Sequence, residues 1–237
     1  MKFDIFIGFD QREAIAAEVC KFSIEENLSI EDKPNITFLK SENIPEFTRP
    51  REARQSTDFT YTRFMIPFIK RYKGYSLFCD CDFLFLVDIN QIWKYVENKD
   101  KAVFVVHHPS YMPNTSKKMD GVVQHFMPKK NWASLIIFNN AHPSCQKLTP
   151  DYINTVMPGR SLHQFEWAND KEVGYLPFEW NALDDYYLLE NPKAIHYTDG
   201  GPWFENYKHT MYSHLWWKYY DKYVKSRGIP RTLSPNT

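Results

Sequence analysis

Apolar positions along this chain fall into two kinds of segment, short continuous runs and sets spaced three to four apart, and through the first half the two kinds alternate. Residues 2–8 (Lys-Phe-Asp-Ile-Phe-Ile-Gly) predict a strand, and residues 11–26 place Ala14, Ala17, Val19 and Phe22 at helical spacing. Residues 36–39 predict a second strand. Residues 40–55 are polar and carry Pro45 and Pro50, which predicts a loop. Ser56 or Asp58 then caps a predicted helix that runs through Arg63 to Lys70 and kinks at Pro67. A third strand is predicted over residues 75–88, a short helix over 89–96, and further strands over 102–106 and 133–138. Strands alternating with helices predict an α/β fold with a mostly parallel central sheet flanked by helices. Ligands of such sheets collect beyond the carboxyl ends of the strands, where Phe9, Asp10, Asp80, Asp82 and His107 would converge.

From Pro143 onward the pieces shorten: helical segments near 150–156 and 162–167, strands near 173–176 and 194–197, and a final helix over 204–225. No Gly- or Ser-rich linker divides the chain and no internal repeat is visible, so one domain over residues 1–228 is expected. It comprises a first half over about 1–140 and a smaller second half over about 141–228. Residues 229–237 are expected to form a flexible tail.

The run Tyr75-Ser-Leu-Phe-Cys-Asp80-Cys-Asp82-Phe-Leu-Phe-Leu-Val-Asp88 carries the strongest chemical signal, because two carboxylates interrupt an apolar strand. An unpaired buried carboxylate costs on the order of several kcal/mol, so a cation, a paired base or exposure at the strand end is required. Two apart, Asp80 and Asp82 share a face if the strand continues and splay if it turns. Hard oxygen ligands at this spacing suit Mg²⁺ or Mn²⁺ carrying phosphate oxygens. His196 follows Ala194-Ile195 and leads into Thr198-Asp199-Gly200-Gly201-Pro202-Trp203, so it emerges at a strand end into a glycine loop. If it joins the two carboxylates, its imidazole favours Mn²⁺ over Mg²⁺, while the backbone N–H groups of Gly200 and Gly201 can approach a diphosphate.

Composition narrows the partners. Among 237 residues, 29 Lys+Arg balance 29 Asp+Glu, which argues against nucleic acid as the main partner. No apolar segment approaches the roughly 20 residues of a spanning helix or the pattern of a signal peptide, so a cytoplasmic protein is expected. Cys20, Cys79, Cys81 and Cys145 are expected to be buried reduced thiols, with Cys79 and Cys81 on one face if they share a strand. Tyr212, Trp216, Tyr219 and Tyr223 form an aromatic stripe at helical spacing beside Lys218, Lys222 and Lys225. Such a stripe packs on the domain or on a dimer partner, or docks peripherally on a membrane surface.

Several of these segments, in order, resemble the family 8 glycosyltransferases of the GT-A fold. Gly8-Phe9-Asp10 is similar to the family's nucleotide-binding opening, residues 61–67 (Tyr-Thr-Arg-Phe-Met-Ile-Pro) to its Arg-containing helix, and residues 77–84 to its Asp-x-Asp strand followed by Asp88-Ile89. Residues 133–139 resemble a later strand, residues 177–181 (Pro-Phe-Glu-Trp-Asn) a turn, and residues 196–203 the C-terminal His-Gly-Pro-Trp loop. The resemblance implies a GT-A type nucleotide-diphospho-sugar transferase fold with a smaller C-terminal acceptor-side elaboration. It implies a retaining, metal-dependent transfer of a sugar from a nucleotide diphosphate, usually UDP, to a hydroxyl of a glycan, lipid-linked or protein acceptor. By the same resemblance Asp80 touches metal and ribose, Asp82 and His196 complete the ligand set, Arg63 contacts the donor, and Trp180 and Trp203 lie on the acceptor side.

Three departures stand out. Gly201 occupies the place of a loop Lys that grips the diphosphate, which turns attention to Lys129, Lys130 or Arg63 as the compensating cation. Trp132 stands where the family carries Asn, with Asn131 one position early. Residues 165–170 replace an Asp-Gln-Asp segment, which leaves Asp170 or Glu166 as the carboxylate near the anomeric carbon. Either His107 or His108 faces the sugar, or both are loop-edge histidines. The missing Lys also motivates an alternative, a non-catalytic nucleotide-sugar or glycan-binding protein. An aspartate-based phosphohydrolase ranks below both, because Phe83-Leu84 follows the second Asp where that class carries Thr or Gly.

Overall fold

A computed structural model describes residues 3–29, 33–52, 55–108, 129–186 and 188–235. In chain order the strands are β1 (Asp4–Gly8), β2 (Asn35–Leu39), β3 (Tyr75–Cys79), β4 (Phe83–Phe85), β5 (Val103–Val106), β6 (Leu135–Asn139), β7 (Val173–Leu176), β8 (Ala182–Leu183) and β9 (Ala194–His196). The α-helices are α1 (Ala14–Asn27), α2 (Ile66–Ile69), α3 (Pro143–Gln146), α4 (Gly159–His163) and α5 (Ser213–Arg227). A six-stranded sheet runs in the order β2-β1-β3-β6-β5-β7, and a three-stranded sheet in the order β4-β9-β8. In the large sheet only β6 runs antiparallel to its neighbours. The carboxyl ends of β1, β3, β5 and β7 therefore share one edge with the amino end of β6, and this edge is where the sequence places its chemistry.

The single strand expected over 75–88 is instead two strands in different sheets. β3 is buried between β1 and β6, and the chain leaves the large sheet at Asp80, turns through Cys81 and Asp82, and enters β4 against β9. Charge explains the break: neither carboxylate can continue into a ladder enclosed by apolar neighbours, so the strand ends where they begin. Cys79 and Cys81 accordingly do not share a strand, and all four cysteines are buried free thiols.

The helix expected over 56–70 is divided into a 3-10 turn at Thr62–Met65 and α2, and neither Ser56 nor Asp58 caps it. Pro67 lies in the first turn of α2, where its missing N–H leaves no hydrogen bond unmade. The final helix begins at Ser213 rather than 204, after a 3-10 turn at Glu205–Tyr207. Its aromatic stripe, Tyr212, Trp216, Tyr219 and Tyr223, faces inward and builds a second core with Val19 and Phe22 of α1, Leu84 of β4 and Ile195 of β9. Packing on the domain is thus what the stripe does, and its rings present no membrane-docking face. Asn27 ties this layer together, donating to the Phe85 carbonyl at 3.1 Å and to the Tyr219 hydroxyl at 2.8 Å.

Beyond α5, Arg231 pairs with Asp221 at 2.7 Å, the Thr232 N–H donates to the Tyr220 hydroxyl at 3.0 Å, and Leu233 packs on the second core. Lys2, expected in the first strand, and residues 236–237 of the expected tail lie outside the described residues. Among the described residues no helix is long and apolar enough to cross a membrane.

At the end of β1, Asp10 caps the 3-10 turn at Gln11–Glu13. It accepts from the Arg12 N–H at 3.0 Å, from the Arg12 guanidinium at 2.8 Å and from the Asp58 N–H at 3.1 Å. Burial alone would raise this carboxyl; the bonds from Arg12 and Asp58 outweigh it and hold its pKa below the ordinary value. A depressed folded pKa stabilises the protein above the unfolded value of about 3.9 and the contribution is lost as pH falls through the folded value. Asp10→Ala should therefore cost about 1–2 kcal/mol at pH 7. In urea denaturation followed against pH, the gap between variant and wild type should close below pH ~4.

Candidate functional site

Three segments bring Asp80, Asp82 and His196 together. β3 delivers Asp80, whose N–H donates to the Ser134 carbonyl at 2.9 Å. The turn delivers Asp82, whose carbonyl accepts from the Tyr197 N–H at 3.0 Å, and the β4–β9 ladder sets His196 opposite Phe83. One ligand atom from each of the three residues lies within 4.8 Å of the others, and Asp82 Oδ1 stands 3.5 Å from His196 Nε2.

The surroundings prepare this trio. His196 stacks on Phe83 with ring centroids 4.6 Å apart, and its Nδ1 faces Asn181 Oδ1 at 3.0 Å. An N–H on Nδ1 donating to that amide oxygen leaves the Nε2 lone pair directed at the carboxylates. Asn181 is fixed in turn by donating to Ser134 Oγ at 3.0 Å. Asn131, in left-handed backbone conformation before β6, accepts the Thr198 hydroxyl at 3.3 Å through its side-chain oxygen. Its buried Nδ2 has no hydrogen-bond partner among the described residues. The Cys81 thiol is held well above its ordinary pKa by burial and then by Glu13, Asp82 and Asp80, so it stays protonated between the two carboxylates.

Two carboxylates and one oriented imidazole at these separations fit a six-coordinate divalent cation that keeps open positions for other oxygens. The trio offers oxygen and imidazole donors and no thiolate, a set that suits a divalent cation of hard to intermediate character.

Arg63 is turned toward the protein. Buried beneath the trio, its guanidinium lies 2.8 Å from Asp80 Oδ1 and donates to the Ala133 carbonyl at 2.5 Å and the Phe59 carbonyl at 3.3 Å. Burial lowers its pKa, and Asp80 and Asp82 act in the opposite direction. Its visible work is to hold Asp80 rather than to reach outward.

The other expected residues separate into those on the rim and those in the core. Phe9 lies at the end of β1 against Phe38, with Lys40 Nζ 4.2 Å above its ring. Gly8 is covered by Phe59, whose ring would meet an added Cβ at 2.5 Å, so this glycine serves packing. Trp180 is 0% exposed, which corrects the expectation of an acceptor wall: a ring without surface can touch no acceptor. Trp203 is half-buried against Tyr197 and Trp216. Its indole lies over Gly201, where a Cβ would come within 2.1 Å. That contact leaves no room for a side chain at 201: the space above the backbone is filled by tryptophan.

Asp170 has a side chain 86% exposed, pairs with Lys129 at 2.6 Å and is held below its ordinary pKa by that bond. It starts a 3-10 turn capped by Asn169. Glu166 is exposed as well, and neither acid belongs to the trio. Lys129 and Lys130 lie in the turn before Trp132–Ser134. His107 and His108 follow β5; burial first, then neighbouring positive groups, push them down to about 4 and about 3.

Sequence reading passed over Asn181, which it noted only as part of a turn, and Gln164, whose buried Nε2 has no hydrogen-bond partner among the described residues. His163 beside it is pushed down to about 3 by burial and by Arg63. Lone amides carry no periodic signal, so only the fold reveals them.

The chain is 39% identical over 232 residues to Protein CDI of Arabidopsis thaliana, an alignment covering 94% of this chain and 88% of that protein. It belongs to the Protein CDI family. No protein-family model matches it. Among solved structures, this family member is similar to the galactosyltransferase LgtC in complex with donor and acceptor sugar analogs, at 15% identity and a TM-score of 0.59, covering 92% of this chain and 95% of that one. It is similar to the glycosyltransferase GlyE of Streptococcus pneumoniae at 13% identity and a TM-score of 0.58, covering 98% and 66%. The bifunctional glycosyltransferase WbbM follows at 18% identity and 0.56, covering 92% of this chain and 51% of that one, so the chain spans about half the length of WbbM. The fold is that of the GT-A glycosyltransferases.

Asn181→Ala frees the His196 ring, and if the trio holds a divalent cation, calorimetric titration with divalent metal salts should read a ~10–100-fold weaker affinity than wild type. Gly201→Ala forces Trp203 out of its packing and should cost about 1–3 kcal/mol, seen as a lowered melting temperature.

Proposed function

We propose that this protein is a metal-dependent retaining glycosyltransferase that moves a sugar from a nucleotide diphosphate donor, UDP in the first instance, to an acceptor hydroxyl. The observation that carries the reading is the Asp80–Asp82–His196 trio, set on the carboxyl edge of a sheet with the GT-A fold. Its solved neighbours of that fold include a galactosyltransferase in complex with donor and acceptor sugar analogs.

In this reading Asp80, Asp82 and His196 hold Mn²⁺, with Mg²⁺ as a weaker substitute. A bound divalent cation supplies charge stabilisation to the departing diphosphate, so cleavage of the glycosidic bond needs no strong acid. Arg63 keeps Asp80 oriented. Asn181 fixes the His196 tautomer by accepting from Nδ1, which directs the Nε2 lone pair toward the carboxylates. The Nδ2 of Asn131 and the backbone N–H groups of Gly200 and Gly201 supply donors to the diphosphate or the sugar, replacing part of what a loop Lys would do. Phe9 and Asp10 border the nucleotide. Asp170 or Glu166 serves as the carboxylate for the anomeric carbon if the rim closes over the donor. The acceptor is a glycan, lipid-linked or protein hydroxyl.

A second reading, non-catalytic nucleotide-sugar or glycan binding on the same fold, draws on Gly201 and on the exposed position of Asp170. Hydrolysis separates the two, since transferases slowly release sugar from their own donor. A screen of UDP-sugars with Mn²⁺ should find one that is hydrolysed, and none hydrolysed would favour the binding protein.

UDP with Mn²⁺ should raise the melting temperature; 100-fold excess over Kd corresponds to about 2.7 kcal/mol. Asp82→Ala should abolish that shift while its own unfolding transition stays cooperative. A variant that still responds to Mn²⁺ and UDP would remove Asp82 from the ligand set.

A further inference from the structure

Where His107 follows β5 and Tyr175 stands on the paired strand β7, three rings meet in an arrangement that the reading above does not use. The His107 imidazole is stacked on the Trp132 ring, with centroids 3.5 Å apart at 16°, and the Tyr175 ring leans against the same imidazole, with centroids 3.9 Å apart at 51°. Tyr175 is 66% exposed on an edge strand whose other residues are buried, and Phe178 close by in the chain is 38% exposed. Lys129 Nζ stands 5.4 Å over the Trp132 ring and is paired with Asp170. Tyr175 thus presents an aromatic face at the surface, supported from below by the His107 ring and bordered by a charged pair.

We propose that Tyr175, on its His107–Trp132 base, is a stacking platform for an uncharged pyranose ring of the acceptor, with the Lys129–Asp170 pair bonding that sugar's hydroxyls. The inference rests on the transferase reading for the word acceptor, while binding itself does not. A pyranose offers an apolar C–H face bordered by hydroxyls, and the site offers an aromatic face bordered by a charged donor and a charged acceptor. The ion pair is neutral as a whole and burial keeps the His107 ring uncharged, so the platform carries no net charge to recruit an anion. A neutral polar ring is the matching ligand. Continuity with the trio follows from Trp132 lying in the same turn as Asn131 and Ser134, which bond Thr198 and the Asp80 N–H.

Saturation-transfer difference NMR with methyl glycosides of glucose, galactose and N-acetylglucosamine, irradiating aromatic protons, reads this contact. Wild type should transfer to the ring protons of at least one glycoside. Tyr175→Ala should reduce that transfer at least fivefold, Tyr175→Phe should retain most of it, and Val156→Ala, at an exposed apolar position elsewhere, should leave it intact. No transfer to any of the three, or equal transfer in wild type and Tyr175→Ala, overturns the platform. The wild-type melting shift with UDP and Mn²⁺ is measured in parallel. A shift without glycoside contact sinks the platform alone; Tyr175-dependent contact without a shift keeps the platform as a glycan site and sinks the transferase reading.

Discussion

The buried pairing of Arg63 with Asp80 is the constraint on which the site depends. Its guanidinium joins three segments that are far apart in the chain: the Phe59 carbonyl, the end of β3 and the Ala133 carbonyl before β6. The Phe59 and Phe78 rings lie about its carbon at 5.3 and 4.7 Å, and the Phe78 ring belongs to the strand that ends in Asp80. A guanidinium enclosed in this way is tolerated only because a carboxylate meets it, and either charge left alone would cost on the order of 3–5 kcal/mol. The pairing therefore holds the Asp80 carboxyl at the strand end, the position any cation-binding role demands.

How much of this was legible in the sequence differs from residue to residue. Asp80 and Asp82 announced themselves because charges inside an apolar run violate the burial pattern. The α/β class followed from runs alternating with helical spacing, and the solved structures of the same fold agree with it. The antiparallel course of β6 did not, since residues 133–138 have the same apolar pattern in either direction. The break between β3 and β4 was open because an apolar run tells that residues are buried and not in which sheet. Trp180 shows the same limit at one position: a tryptophan after Pro-Phe-Glu suits a wall or a core equally well, and only packing decided for the core.

The substitution at 201 shows where sequence and structure inform each other. Gly201 was legible as a missing lysine, a loss. The structure fills that place with the Trp203 indole lying on the backbone, part of an aromatic column continuing through Trp216 to Tyr220. The loop is thus held by the second core rather than by charge, and the α5 aromatics that suggested a membrane surface are the rings that hold it.

The three-stranded sheet has only two or three residues per strand, yet it unites the acidic turn with the histidine. The large sheet can bring both aspartates to their places with Arg63 beneath them; the imidazole arrives only when a strand from near the other end of the chain closes on β4. This makes the little sheet a clasp whose fastening requires the long-range loop to shut, a step that costs chain entropy before it yields contacts. A cation gripping all three side chains would bind the fastened form alone, so its affinity would be spent in keeping two distant segments of the chain together.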